Sequence, residues 1–99
     1  MDIECTSIDD VRRHIDQIDR ELVALLGRRG KFVTQAAAFK KTTEDVRAPA
    51  RVEQVIHKVR ALADETGASP EVVEKVYRAM IAAFIEEELQ AHAHLHAGR

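Results

Sequence analysis

Apolar residues recur at alternating steps of three and four along most of the chain, which is the spacing of one face of an α-helix. No stretch shows the alternation of apolar and polar residues that is typical of a β-strand. The two prolines, Pro49 and Pro70, stand beside the stretches 42–48 and 66–69, where the pattern stops. The pattern therefore predicts an all-α fold with three helices, at about 7–41, about 49–65 and about 70–92.

The first predicted helix has an apolar seam in a heptad pattern, formed by Ile8, Val11, Ile15, Ile18, Leu22, Leu25, Phe32, Ala36 and Phe39. Gly27 and Gly30 each weaken a helix by about 1 kcal/mol relative to alanine. Because the seam keeps its phase across both glycines, we expect one continuous helix. About 34 helical residues would extend about 50 Å, whereas a compact globule of this length is only about 34 Å across. A second chain must cover the seam, so the pattern predicts a homodimer.

The other two predicted helices have amphipathic stripes and clear end signals. Pro49 is expected in the first turn of the second helix and Gly67 at its end. Ser69 is expected to cap the third helix ahead of Pro70. The apolar faces consist of Val52, Val55, Ile56, Val59 and Leu62 in the second helix and of Val73, Val76, Tyr77, Met80, Ile81 and Phe84 in the third.

Composition narrows the class of protein. The 99 residues fit one domain, 1–99, and a formal charge of −2 provides no basic surface for nucleic acid. No apolar run approaches the roughly 20 residues of a membrane helix, and the acidic N-terminus does not resemble a signal peptide, so we expect a cytoplasmic protein. Cys5 has no second cysteine, and of the C-terminal histidines only His92 and His96 have the helical spacing of zinc ligands. We therefore predict no metal site.

Charged residues interrupt the apolar faces at a few positions. Arg29 occupies a seam position, where burial of a guanidinium requires an anion from the protein or from a ligand. Lys40 lies 11 residues further on, about 16 Å along nearly the same helical face. The two cations could hold a small anionic ligand between them. Glu88 continues the line of Ile81 and Phe84, and a carboxyl in apolar surroundings can stay protonated and donate a hydrogen bond.

Each of these cations also has a purely structural explanation. Arg29 can form an ion pair across the dimer, and Lys40 can be a solvated lysine near a helix C-terminus. Arg51 can be an exposed side chain paired with Glu53 or Glu44.

Arg12 lies about 25 Å from Arg29 along one helix, so the two could share a site only across an antiparallel dimer. Otherwise Arg12 is a surface arginine near Asp9 or Asp16. Cations around an apolar cavity, one protonatable carboxyl and no nucleophile suit a pericyclic rearrangement of a flexible dianion.

Three runs of the sequence, Ile8–Asp19, Leu25–Arg29 and Ala38–Lys40, resemble the all-α chorismate mutase family. The resemblance implies an intertwined homodimer that converts chorismate to prephenate without a cofactor. It also implies that Arg29 and Arg12 of the partner subunit bind the two substrate carboxylates. Lys40 would contact the ether oxygen and a carboxylate, and Arg51 would add positive potential.

Four positions depart from the usual mutase pattern. At the positions of Ala48 and Val52, the family has acidic residues. At the position of Phe84 it has a small hydroxyl residue, and at the position of Glu88 it frequently has glutamine. The changes at Ala48 and Val52 are therefore expected to affect which ring substituent the pocket accepts, and Val52 and Phe84 are expected to bind the substrate. Glu88 would need a proton to donate to the ether oxygen. The stretch 42–48 is expected to be a loop that serves as a lid.

The same departures keep other functions open. The isochorismate pyruvate lyases are a branch of this fold that forms salicylate and pyruvate. This chain is similar to them at Cys5-Thr6-Ser7, Ala48-Pro49, Arg51-Val52 and Phe84. Arg51-Val52 with Glu88 is similar to the aminodeoxychorismate mutases of antibiotic pathways. A non-catalytic dimerisation or regulatory module is a further alternative. Chorismate mutase is our primary hypothesis, with Arg29, Lys40 and Glu88 as catalytic residues, because Glu88 can interact with the ether oxygen.

Overall fold

The computed structural model describes residues 3–97, with side chains for residues 3–91 and 93. Every regular element in this range is an α-helix. Three are long, α1 (Ile8–Ala37), α3 (Pro49–Thr66) and α4 (Pro70–Ala97), and one is short, α2 (Thr43–Arg47). The predicted all-α fold with three long helices is confirmed, α2 is an addition to it, and α4 continues past the predicted end at about 92.

Helix α1 is continuous over 30 residues, a length of about 45 Å. Ser7 caps it, since the Ser7 Oγ accepts a hydrogen bond from the Asp10 backbone N–H at 3.1 Å. Asp9 and Asp10 place negative charge in the first turn, where the helix dipole favours it. The helix runs through Gly27 and Gly30 without a break, as the unbroken phase of the seam predicted.

Helix α1 ends at Ala37 rather than at about 41. Residues 38–40 each donate the backbone N–H to the carbonyl three residues earlier, at 3.0–3.2 Å. This tighter pattern closes the last turn and takes the chain out of the helix. The prediction that Arg29 and Lys40 share one helical face is therefore wrong, because Phe39 and Lys40 follow the helix and do not extend it.

The stretch 42–48, predicted to be a loop, contains helix α2. Its start is a capping box in which the Asp45 N–H donates to Thr42 Oγ1 at 3.1 Å and the Thr42 N–H donates to Asp45 Oδ2 at 3.2 Å. Val46 is only 2% exposed, and α2 packs against α4. The loop prediction is wrong because local capping and one buried valine are sufficient to stabilise a helical turn.

The junctions on either side of α3 use the left-handed backbone region. Ala48 joins α2 to α3 with φ 39° and ψ 60°, a conformation that costs a residue with a Cβ about 1 kcal/mol or more. Gly67 ends α3, as predicted. Its φ is 81°, and this conformation has no such steric cost because glycine lacks a Cβ. Ser69 caps α4 as predicted, because its Oγ accepts the Val72 N–H at 3.3 Å.

The chain divides into two compact units, Met1–Val33 and Thr34–Arg99. In the first unit, the described part of α1 has no buried residue. Its exposed apolar side chains include Ile8, Val11, Ile15, Ile18, Leu22, Leu25, Leu26 and Phe32. The part of the predicted seam that lies in this unit is thus an exposed apolar stripe, which the half-buried Arg29 interrupts.

The second unit contains the buried core. Helix α4 packs against both α3 and α2, and the buried apolar residues are Val46, Ile56, Val59, Ala63 and Ile81. Leu62 and Val76, assigned to apolar faces from the sequence, are exposed, because each helix buries only the part of its stripe that meets another helix. None of the helices in the described range combines the length and apolarity that a bilayer-spanning helix requires.

Candidate active site

Lys40 and Glu88 form an ion pair within the unit Thr34–Arg99. The Lys40 Nζ donates to Glu88 Oε2 at 3.0 Å and to Oε1 at 3.3 Å. The Lys40 side chain is 23% exposed and that of Glu88 is 9% exposed. Charges that are this far removed from water must be well hydrogen-bonded to be tolerated, and here both carboxylate oxygens face the ammonium. Two residues predicted to be catalytic are thus brought together by the fold.

Lys40 lies between the last turn of α1 and the capping box of α2. Next along the chain, the backbone N–H groups of Lys41 and Thr42 both donate to Asp45 Oδ2, at 3.1 and 3.2 Å. These bonds, with the one from Lys41 contributing most, lower the pKa of the Asp45 carboxyl, because donors favour its charged form. An ionised Asp45 therefore anchors the chain immediately after Lys40.

Glu88 is on α4, on the same face as Ile81 and Phe84. Ile81 is buried and Phe84 is half-buried, so the apolar line read from the sequence is present. The prediction of apolar surroundings left out Lys40, whose ammonium donates to both Glu88 oxygens. Glu88 accepts hydrogen bonds in this arrangement, and its role as a donor to substrate stays a prediction.

Arg51 and Val52 lie in the first turn of α3. Arg51 is exposed and donates to Gln54 Oε1 within the same helix, whereas Glu53, one of the partners suggested from the sequence, accepts from Arg78. Val52 is half-buried. The structure therefore places both residues near a helix start, and their contact with substrate stays a prediction.

Arg12 and Arg29 belong to the other unit, Met1–Val33. Arg12 is exposed and Arg29 is half-buried on α1. The two are about 25 Å apart along one continuous helix, as predicted, so one chain cannot direct both at a single small ligand from this helix. Their assignment to substrate carboxylates stays a prediction.

Comparison with known proteins identifies the family to which this chain belongs. A sequence model of chorismate mutase type II matches residues 11–89, a range that includes Lys40, Glu88 and the other predicted site residues. The chain belongs to the chorismate mutase type II family. It is also 33% identical over 87 residues to an isochorismate pyruvate lyase from Pseudomonas aeruginosa, in a match that covers 88% of this chain and 86% of the relative. The protein is thus an enzyme of the mutase and lyase type, as the sequence resemblance indicated.

In this chorismate mutase family member, an ion-pair network that the sequence analysis missed joins α3 to α4. Arg78 donates to both oxygens of Glu53 at 2.9 Å and to Glu74 at 2.8 Å, and Arg60 donates to Glu74 at 2.8 Å. The Arg78 hydrogen bonds are the main cause that lowers the pKa of Glu53 and of Glu74. The spacing of Glu74 and Arg78 was a readable signal, whereas the Glu53 contact crosses between helices.

A second unforeseen cluster lies at the start of α1 in this family member. One ligand atom each of Cys5, Asp10 and His14 lies within 4.8 Å of the others. Arg13 donates to Asp10 Oδ1 at 2.9 Å, and this bond is the main cause that lowers the pKa of Asp10. Because a guanidinium at the carboxylate opposes binding of a further cation, we assign the cluster to the start of the helix and not to a metal.

Proposed function

We propose that this protein is a chorismate mutase that converts chorismate to prephenate. The observation that carries the proposal is the Lys40–Glu88 pair, which is largely removed from water in a chain of the chorismate mutase type II family. In this rearrangement one C–O bond breaks and one C–C bond forms within a single molecule, so the reaction requires no nucleophile. The enzyme lowers the barrier by holding the reactive conformation and stabilising charge that develops on the ether oxygen.

Lys40 is the residue we assign to the ether oxygen. An ammonium donor in a partly dehydrated site stabilises developing negative charge more strongly than water does. The Lys40 Nζ has three protons, so it can keep a hydrogen bond to Glu88 and also donate to a substrate oxygen. We assign Glu88 as the second group at this oxygen, where it donates when protonated.

We further propose that the enzyme is a homodimer whose site takes Arg12 from the second chain. The exposed apolar stripe of α1 supports this proposal, because a stripe with heptad spacing is typical of a helix that packs on a partner helix. In the dimer, Arg29 binds one substrate carboxylate and Arg12 of the partner subunit binds the other. Arg51 adds positive potential, and Val52 and Phe84 pack against the substrate.

A second candidate function is that of an isochorismate pyruvate lyase, which releases salicylate and pyruvate. The observation that favours it is the 33% identity, over most of both chains, to the Pseudomonas aeruginosa protein of that name. Two of the segments that resemble the lyases in sequence, Ala48-Pro49 and Arg51-Val52, lie at the start of α3. Both reactions need a bound dianion and a donor at the oxygen whose C–O bond breaks, so Lys40 has the same role in each.

The deciding experiment is chromatographic product analysis of the purified protein with chorismate, isochorismate and aminodeoxychorismate in parallel. Prephenate formed from chorismate with the highest kcat/KM supports the mutase. Salicylate and pyruvate formed fastest from isochorismate replace it with the lyase, and preference for the amino substrate replaces it with an aminodeoxychorismate mutase. A Lys40→Met preparation purified identically measures contamination by host enzymes. Absence of turnover with all three substrates would overturn the proposal.

A further inference from the structure

The backbone at Lys40 is held from both sides. On the N-terminal side, the Lys40 N–H donates to the Ala37 carbonyl at 3.1 Å, which is part of the turn that closes α1. On the C-terminal side, the Lys41 N–H donates to Asp45 Oδ2 at 3.1 Å. This N–H belongs to the same rigid peptide unit as the Lys40 carbonyl. The first bond therefore restrains φ of Lys40, and the second restrains ψ.

We propose that Asp45 is a positioning residue for Lys40, an inference that rests on the proposed role of Lys40 in the reaction. Asp45 acts through the backbone: its Oδ2 accepts two consecutive peptide N–H groups, those of Lys41 and Thr42, and thereby sets the direction in which the Lys40 side chain leaves the chain. Asp45 itself is exposed and is not one of the residues that we assign to the substrate.

The same short helix is fastened to the helix that bears Glu88. Val46, the neighbour of Asp45, is buried, and α2 packs on α4. Asp45 thus connects the Lys40 peptide to a segment whose distance from Glu88 is set by packing. A displacement of about 1 Å in a catalytic group can reduce a rate about 100-fold, so control of this direction matters to the reaction.

Three substitutions distinguish the positioning of Lys40 by Asp45 from an effect of the Asp45 charge and from a general effect on helix α2. Asp45→Ala removes the acceptor of both N–H groups. Asp45→Asn removes the charge but keeps one side-chain oxygen, which is sufficient because both bonds end on Oδ2. Glu44→Ala is the matched control, since Glu44 is the adjacent exposed carboxylate in the first turn of the same helix.

The first readout is steady-state kinetics on chorismate. We expect Asp45→Ala to lower kcat about tenfold or more with a smaller change in KM, because Lys40 acts on the transition state. Asp45→Asn and Glu44→Ala are expected to stay within about threefold of the parent. An equal loss in Asp45→Asn and Asp45→Ala would assign the effect to charge and overturn the inference.

The second readout does not depend on turnover. The rate at which an acylating reagent modifies the Lys40 amine is measured by peptide mass spectrometry, with the exposed Lys58 as internal reference. When Lys40 is no longer aligned with Glu88, the ratio of the Lys40 to the Lys58 modification rate is expected to rise. We expect a rise of at least about threefold in Asp45→Ala and no such rise in Asp45→Asn or Glu44→Ala. An unchanged ratio overturns the inference, even if the parent does not act on chorismate. Failure of the proposed function alone would leave the labelling pattern intact.

A further variant distinguishes loss of Lys40 positioning from a general loss of α2 stability. Thr42→Val removes the hydroxyl that accepts the Asp45 N–H but leaves both bonds to Asp45 Oδ2. We expect its labelling ratio to match the parent, and a rise equal to that of Asp45→Ala would overturn the inference. If circular dichroism shows that Asp45→Ala does not fold, Asp45→Ser is measured in its place, because its shorter hydroxyl cannot span the same contacts.

Discussion

Lys40 and Glu88 lie 48 positions apart in the chain and 3.0 Å apart in the structure. The lysine comes from the turn after α1 and the glutamate from α4, so their contact depends on how the short helix α2 packs on α4. The Lys40 ammonium of this pair is the group that we propose to donate to the oxygen whose C–O bond breaks in a chorismate-type substrate.

Replacing Lys40 by methionine removes the proposed donor to the ether oxygen. We expect kcat/KM for chorismate to fall at least about 100-fold, because loss of one donor to developing charge has an effect of this size. Lys41→Met, an exposed neighbour, is the control and should retain activity. Similar activity in both variants would contradict the role of Lys40.

Replacing Glu88 by glutamine tests whether this group donates a hydrogen bond. A carboxylate only accepts hydrogen bonds, whereas an amide can donate one. If Glu88 acts as a donor to the substrate oxygen, Glu88→Gln should retain activity, and Glu88→Ala should lower kcat/KM for chorismate at least about tenfold. The control is Glu87→Ala at the adjacent, exposed position, which should match the parent. Equal activity in Glu88→Ala and the parent would rule out the donor role.

Mixed dimers test the shared site. Arg12→Ala and Arg29→Ala are each expected to be inactive while remaining dimeric. When the two variants are unfolded together and refolded, half of the dimers contain one of each chain, and each such dimer has one site with neither substitution. The mixture should recover about a quarter of the parent activity. Loss of assembly in Arg29→Ala would instead indicate a structural ion pair, and absence of recovery would contradict the sharing of sites.

Ala48 tests the left-handed junction between α2 and α3. Ala48→Gly is expected to increase the free energy of unfolding by about 0.5–1 kcal/mol, because relief of the Cβ clash exceeds the added entropy of the unfolded chain. Ala61→Gly, at an exposed position inside α3, should lower it by about 1 kcal/mol. Denaturant titration measures both, and destabilisation by Ala48→Gly would contradict the observed backbone angle.

The Arg78 network is expected to make stability depend on pH. Its hydrogen bonds lower the pKa of Glu53 and Glu74 below their ordinary value of 4.5 in the folded chain. The stabilisation is therefore present above that pH and is lost as the pH falls through the lowered values. Arg78→Gln should reduce Tm near about pH 7, and the difference from the parent should shrink near about pH 3. The exposed Lys75→Gln serves as control, and a difference independent of pH would contradict the ionic origin.

The sequence alone determined the elements whose signals are local. The helical spacing of apolar residues, the expected cap Ser69 and the terminal glycine Gly67 located the long helices, because hydrogen bonds within a few residues govern where a helix forms and ends. The family also followed from the sequence, since its motifs are short runs of residues at fixed spacing. The capping box of Thr42 and Asp45 was equally local and could have predicted α2.

Contacts between side chains that are distant in the sequence depend on how the helices pack. No local rule connects Lys40 to Glu88 or Glu53 to Arg78, because each contact requires two helices to pack at a particular angle. The burial of Val46, where α2 packs against α4, is likewise a contact between segments distant in the sequence. Helical pattern is a property of neighbouring residues, whereas the contact between Lys40 and Glu88 is a property of packing.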